Sequence, residues 1–388
     1  MTTNFKKKVI HIIRSTSFGG LELYVETLIN QLSTKEVDQY VYCVKDSVFE
    51  KKIKQNHKIK IFNAYSSKKI SIKDILELRQ IVNIESIDVV HVHTNTDLWL
   101  GSPACFGKNS VTLLFSLYMN VIAKKDFVHK LLYSRIDKLI STSEFVNKEV
   151  AHKYPIYPQK IELQRYGRSI EDYQVNNAKR TEIRNLWLAE EPKIVVGTMC
   201  RFDPSKGVRE LIESYILLSK ESQKKIEFWI VGERTIDYTS ADGTIVYEKE
   251  SDQLYRNMIQ FIESHQLKNK IKIIPFQKDL QGYLSAMDVF VLASYNEMYA
   301  LAVLDALLMK LPVIGINTGG TPEQLAQGRG VVVESKSSSA IANAIEVMKD
   351  RLEPNEAGHN WVKKEHDWKN VLPQFLVRYN NKGSLIAQ

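Results

Sequence analysis

Residues 288–306, Asp288-Val289-Phe290-Val291-Leu292-Ala293-Ser294-Tyr295-Asn296-Glu297-Met298-Tyr299-Ala300-Leu301-Ala302-Val303-Leu304-Asp305-Ala306, decide the fold. The first six form a short apolar, β-branched run, which predicts a buried strand. A polar stretch follows, and Leu301 to Met309 then runs apolar without Gly or Pro, which predicts a helix. Strand, turn and helix in that order belong to an α/β domain. Glu297 lies in the turn and Asp305 in the helix, eight positions on, about 80° past two full turns. A carboxylate ahead of a helix start can accept hydrogen bonds from ligand hydroxyls, while the free amides of Met298, Tyr299, Ala300 and Leu301 face an anion. That chemistry suits a sugar attached to a phosphate.

The chain continues through Leu311-Pro312-Val313-Ile314-Gly315 and Thr318-Gly319-Gly320-Thr321-Pro322-Glu323. Ser-x-x-Glu, seven residues, an acid, Ala, then Pro-Val-Ile and Gly-Gly-x-Pro-Glu together resemble the donor-site signature of the retaining glycosyltransferases of family four. The resemblance implies an α/β GT-B fold, two Rossmann-like domains facing a central cleft. It assigns the donor sugar's hydroxyls to Glu297 and the ribose hydroxyls to Asp305. The chain departs from the family pattern in having Tyr299-Ala300 for Phe-Gly and Asp305 for Glu.

Upstream, Ile194 to Met199 predicts a strand, Cys200-Arg201-Phe202-Asp203-Pro204-Ser205-Lys206-Gly207 a turn, and Val208 to Leu218 a helix. Arg201 and Lys206 at a strand's C-terminal end are placed to grip phosphate, one as a planar fork and the other as a point charge. Surface salt bridging is the alternative. Both match the family's Gly-Arg…Lys-Gly motif, whose cations hold the donor diphosphate. Phe228 to Glu233 and Ile271 to Phe276 read as further strands. The resemblance lays the loop after the second, with Phe276 and Lys278, over the nucleotide base. Residues 235–250 read as an insertion without a role. Val331 to Val333 reads as a strand and Ser337 to Lys349 as a helix, and the resemblance returns the last helix to the N-terminal domain.

In the first half, strands are predicted at Val9 to Ile13, Tyr40 to Val44, Ile59 to Phe62, Asp88 to His93 and Thr112 to Met119. They alternate with helical periods over Leu21 to Leu32 and Ile70 to Ile84, so the sheet is predicted to be largely parallel. A turn of small residues, Ser15 to Gly20, follows the first strand. The resemblance sets its Gly19-Gly20, with Glu22, near the donor phosphates; a tight turn without ligand is the other reading. His91 and His93 share one strand face. A metal pair needs a third ligand and none is near in sequence, so they read as strand-end histidines, and the resemblance gives His93 a sugar or acceptor contact. Ser116-Leu117-Tyr118 stands where the family usually has Thr-x-His, putting Tyr118 in place of an active-site histidine, with His129 as a substitute. Lys124, Lys125, Lys130, Arg135 and Lys138 among Phe127, Leu131, Leu132 and Tyr133 describe a basic amphipathic helix. It can rest on lipid headgroups or pack on its own domain. Asn176 to Glu191 is polar and reads as the connection between domains. The domains are thus 1–175 for the acceptor, completed by a helix at about 365–388, and 176–364 for the donor.

At 388 residues, 44% hydrophobic and 25% charged, the chain has the composition of a soluble globular protein with two cores. Residues 1–175 hold 26 Lys and Arg against 18 Asp and Glu, and residues 176–388 hold 27 against 27, so the whole excess of +8 lies in the first half. A basic half-molecule points to an anionic partner, whether nucleic acid, an anionic membrane surface or a phosphorylated acceptor, and a lysine-rich composition bias alone is the other reading. No nucleic-acid-binding signature accompanies it. Cys43, Cys105 and Cys200 form neither a disulfide framework nor a metal-spacing motif. The apolar runs at Val9 to Ile13 and Val111 to Ala123 are too short for a signal peptide and a membrane span. The expected location is cytoplasmic or peripheral on the inner face of the cell membrane.

These readings lead to one expectation. The enzyme moves a hexosyl-type sugar from a UDP- or GDP-sugar to a saccharide or lipid-linked saccharide, in lipopolysaccharide O-antigen or capsule synthesis. The resemblance implies retention by front-face substitution, without a protein nucleophile, metal or cofactor. Two rivals stay open: a GT-B sugar-nucleotide epimerase, and a non-catalytic subunit that binds sugar nucleotide or a partner enzyme.

Overall fold

The computed structural model describes residues 6–16, 19–33, 37–188, 193–240 and 242–380. Two compact units emerge, one of residues 1–168 with 366–388 and one of residues 169–365. Residues 169–175, read above as the end of the first domain, therefore lie in the second unit.

The first unit is built on seven strands: β1 (Lys7–Ile13), β2 (Val37–Val44), β3 (Lys60–Ala64), β4 (Val89–Val92), β5 (Thr112–Leu117), β6 (Lys138–Ser141) and β7 (Ile161–Leu163). They pair in parallel in the order β3-β2-β1-β4-β5-β6-β7. The second unit has β8 (Ile194–Met199), β9 (Ile226–Val231), a hairpin of β10 (Ile236–Thr239) and β11 (Ile245–Tyr247), then β12 (Ile271–Ile274), β13 (Val289–Leu292), β14 (Val313–Ile316) and β15 (Val331–Val333). Its main sheet is also parallel, in the order β12-β9-β8-β13-β14-β15. Helices cover both faces, which is why β8, β9 and β13 are apolar runs rather than alternating ones. In each sheet the chain grows outward from its first strand and then reverses, leaving a switch point between β1 and β4 and another between β8 and β13. Ligands of open α/β sheets bind at the carboxyl ends of strands on either side of such a point.

One expectation is corrected. The polar stretch from Asn176 is a helix, Asn177–Trp187, capped by the Asn176 side chain. It docks through cations: Arg180 and Arg184 each reach a different carboxylate oxygen of Asp288, at 2.6 and 2.5 Å. Arg184 also donates to the Ala286 carbonyl. Residues 189–191 of that reading lie outside the described residues. The insertion is the β10–β11 hairpin followed by the start of a helix, Lys249–Ser264, with Arg234 stacked 3.7 Å over Tyr247; Ala241 lies outside the described residues.

The last helix, Trp368–Asn380, belongs to the first unit; residues 381–388 lie outside the described residues. Its Tyr379 hydroxyl meets His91 Nδ1 at 2.9 Å, and Arg378 donates to Glu162 at 2.7 Å. Trp368 lies over Gly167 so closely that a Cβ there would sit 2.1 Å from the indole. No helix among the described residues is long and apolar enough to cross a membrane.

Candidate active site

In the second unit the loops after β8 and β13 meet at the switch point. Lys206 lies in the first and Glu297 in the second, and Lys206 Nζ donates to Glu297 Oε1 at 2.5 Å. Both side chains are about one-fifth exposed, so a ligand can reach them. The loops are joined by backbone as well: Tyr295 N donates to the Ser205 carbonyl at 3.0 Å and Ser294 Oγ to the same oxygen. Gly207 makes this approach possible. Its φ is +63°, and a Cβ would lie 2.1 Å from the Ala293 carbonyl oxygen. Arg201, on the same loop as Lys206, is exposed and makes no side-chain hydrogen bond among the described residues. Cys200 offers no thiolate here, because burial pushes its thiol up to about 12.

The Gly-Gly-Thr-Pro-Glu turn after β14 supports the Glu297 loop from beneath. Gly319 has φ +57°, and a Cβ would stand 1.5 Å from the Glu297 carbonyl oxygen. Gly320 N donates to that carbonyl at 3.3 Å. Gln324 then brackets Ala300, accepting from its amide at 3.1 Å and donating to its carbonyl at 2.8 Å. The expectation that the amides from Met298 to Leu301 face an anion is thereby corrected at Ala300, whose amide is taken. Tyr299 and Ala300 are buried, Met298 is half-buried, and the helix Leu301–Leu308 opens with half-buried Leu301 and Ala302. First-turn amides have no partner within their own helix.

Asp305 is buried in the second turn of this helix, and its Oδ1 accepts from the Tyr173 hydroxyl at 2.7 Å. Sequence reasoning missed Tyr173, which no spacing rule ties to a residue 132 positions away. It missed Gln324 as well, although that residue directly follows the Gly-Gly-x-Pro-Glu signature. Phe276 and Lys278 lie exposed on the loop after β12, at the same carboxyl edge of the sheet.

The remaining candidates belong to the first unit. Gly19 precedes the helix Gly20–Leu32, and its amide is taken by the Glu22 carboxylate at 2.8 Å, so the acid of that motif caps its own helix. Ser17 and Phe18 of the turn lie outside the described residues. His93 is buried. It stacks against Tyr118 and accepts or donates one hydrogen bond to His11 at 2.9 Å. His11 is the third imidazole that the sequence did not reveal, set beside His91 by the β1–β4 register. One nitrogen from each of His11, His91 and His93 lies within 4.8 Å of the others, the span of a metal ligand set. His91, however, spends both nitrogens, on Ser116 Oγ at 2.6 Å and on the Tyr379 hydroxyl. Burial lowers His11 to about 3 and holds His91 and His93 well below the usual range, so all three are neutral at pH 7. His129 lies apart from this cluster, bonded to Asp126 and edge-on to Trp99.

Comparison with known proteins adds family matches over most of the chain. Residues 18–167 match the model described as Glycosyltransferase Family 4, and residues 179–367 the one described as Glycosyl transferases group 1. The Phosphatidylinositol N-acetylglucosaminyltransferase GPI3 subunit of Saccharomyces cerevisiae is 24% identical over 79% of this chain and 66% of its own length. The capsular polysaccharide biosynthesis glycosyltransferase CapM of Staphylococcus aureus is 26% identical over 58% of this chain and 56% of its own. The chain thus spans two thirds or less of these curated relatives. A glycosyltransferase from Rickettsia africae superposes with a TM-score of 0.83 at 18% identity, covering 96% of this chain and 98% of that one. Anabaena Alr3699/HepE in complex with UDP gives 0.79 at 18%, covering 96% and 99%. Both likenesses bear on the fold, which is GT-B with two Rossmann-like domains.

Proposed function

We propose, from the premise that this chain belongs to the family 4 glycosyltransferases, that it moves a hexosyl-type sugar from a nucleoside diphosphate sugar to a saccharide acceptor with retention of configuration. The observation that carries the reading is the Lys206–Glu297 pair at the β8–β13 switch point. A cation and a carboxylate fixed side by side there match the two ends of a sugar diphosphate. Lys206 and Arg201, with the start of the Leu301–Leu308 helix, neutralise the diphosphate as charge builds on it. Glu297 exchanges its lysine partner for donor-sugar hydroxyls. In this scheme Asp305, oriented by Tyr173, takes the ribose hydroxyls. The acceptor oxygen attacks the anomeric carbon on the face from which the diphosphate departs. The carbon–oxygen bond to phosphate breaks, and the acceptor proton passes to the leaving phosphate oxygen. No metal or cofactor takes part in this scheme.

UDP is favoured as the carrier because Alr3699/HepE was solved with UDP. A lipid-linked acceptor in surface-polysaccharide synthesis, handled at the inner face of the membrane, is favoured by the basic first half, the yeast relative's phosphatidylinositol and the capsular role named for CapM. The purified protein should be incubated with UDP- and GDP-sugars, with and without polyprenyl-linked saccharide, and the released nucleotide measured. Acceptor-dependent release of UDP is expected. An isomerised sugar nucleotide without acceptor, or binding with no release under any condition, would overturn the reading.

A further inference from the structure

The geometry points to a docking face for an anionic lipid bilayer on the first unit, assembled from two segments far apart in sequence. One is the loop after β3 and the other is the loop and helix after β5. In a parallel sheet both emerge at the same edge. They meet at Trp99: Lys69 Nζ from the first lies 4.0 Å above its ring, and His129 from the second stands edge-on to it at 5.4 Å. Burial, and then the charge of Lys69, lower the Lys124 ammonium, so the two segments also share one field.

Around this junction Ile70, Ile72, Ile122 and Phe127 are 57%, 71%, 71% and 79% exposed. The helix Phe127–Ser134 buries Leu132 and Tyr133 yet turns Phe127, Val128 and Leu131 to solvent. It is therefore apolar on both faces, which packing on its own domain does not require. Lys68, Lys69, Lys125 and Lys130 stand exposed among these groups. The nearby acids are occupied. Asp74 is buried against Arg14 and the Tyr42 hydroxyl, and Asp126 caps the helix and holds His129. Both loops are fixed in place, the first by Tyr65 N donating to Asp74 at 2.7 Å and the second by Lys124 N donating to the Lys153 carbonyl at 3.0 Å.

A bilayer suits this face better than a second copy of the chain. Across a two-fold axis the lysines would confront their own kind. Against a bilayer they meet lipid phosphates while the apolar side chains enter the acyl boundary. The inference rests on the proposed lipid-borne acceptor and gives it a place to be met.

The full-length protein is to be sedimented with phosphatidylcholine vesicles with and without phosphatidylglycerol, at low and high salt, and UDP-sugar binding measured on the same preparations. Binding is expected only to the anionic vesicles and only at low salt. Lys69→Ala with Lys125→Ala should weaken it about 30-fold, and Ile122→Ser with Phe127→Ser should abolish it, both without loss of UDP-sugar binding. Wild type that ignores anionic vesicles, or variants that bind them like wild type, would overturn the inference. A dimer dissolved by Phe127→Ser would overturn it too, by giving the face to a second copy. Failure of UDP-sugar binding in the wild type would instead break the proposed function and leave the lipid result standing.

Discussion

Replacing Gly319 by alanine tests whether the turn after β14 sets the position of Glu297. A non-glycine residue at φ +57° costs about 1–2 kcal/mol wherever it occurs. At this position the new methyl would also lie 1.5 Å from the Glu297 carbonyl oxygen, whereas ordinary contact begins near 3.4 Å. The Glu297 loop must then withdraw by about 2 Å, the difference of those distances. A 1 Å misplacement can cost about 100-fold in rate, so kcat/KM should fall at least that far. Gly328 is the control. Its φ is +76° with nothing within 4 Å of a Cβ, so Gly328→Ala pays the backbone strain alone. Gly328→Ala should lose about 2–8 °C in Tm, at about 2–4 °C per kcal/mol for a domain of this size, and Gly319→Ala at least as much, while only Gly319→Ala loses activity. Calorimetry and nucleotide-release kinetics on the pair suffice. Wild-type kcat/KM in Gly319→Ala would refute the claim that this turn positions the carboxylate.

Lys206→Ala and Glu297→Ala should each lower kcat/KM by about 100- to 1,000-fold and change stability by about 1 kcal/mol or less, since the pair is partly exposed; turnover assays and melting curves separate the two effects. Tyr173→Phe leaves buried Asp305 short of one donor. The missing bond to a charged group is worth about 1.5–3 kcal/mol of stability, and the carboxylate it no longer orients should raise KM for the donor while kcat changes little. The three buried histidines make the first unit acid-sensitive. Below pH 6.5 the unfolded chain binds protons that His11, at about 3 when folded, refuses. Stability therefore falls as pH drops from about 6.5 towards 3, by up to about 1.4 kcal/mol per pH unit for each such histidine. Denaturant melts across that range should flatten in His11→Asn, and an unchanged slope would refute the assignment.

The alternation of strands and helices was legible because buried parallel strands must be apolar throughout, and β8 and β15 fall at the residues their patterns predicted. β2 begins at Val37 rather than Tyr40, since Asp38 and Gln39 break the apolar run. Gln39 is nonetheless buried, donating to the Ile29 carbonyl. The helix 177–187 was illegible for a related reason. Its docking runs through Arg180, Arg184 and Asp288, and an apolar period does not register ionic contacts. At the site, Lys206 and Glu297 could be chosen separately from their turns, and their contact follows from β8 and β13 being neighbours. The pairs Tyr173–Asp305, Gln324–Ala300 and His11–His93 depend on tertiary register, which local spacing does not encode.

The closing helix also bears on how the protein is made. Residues 169–365 are inserted within the first unit, whose sheet was complete by Leu163 but whose His91 still lacks the Tyr379 hydroxyl. On the ribosome the N-terminal sheet must wait, with the sites that bury Phe375 and Trp368 uncovered, until the residues of that helix have emerged. The inserted unit can meanwhile fold to completion. A nascent chain stalled before Trp368 should accordingly hold a protease-resistant 169–365 fragment beside a labile N-terminal one.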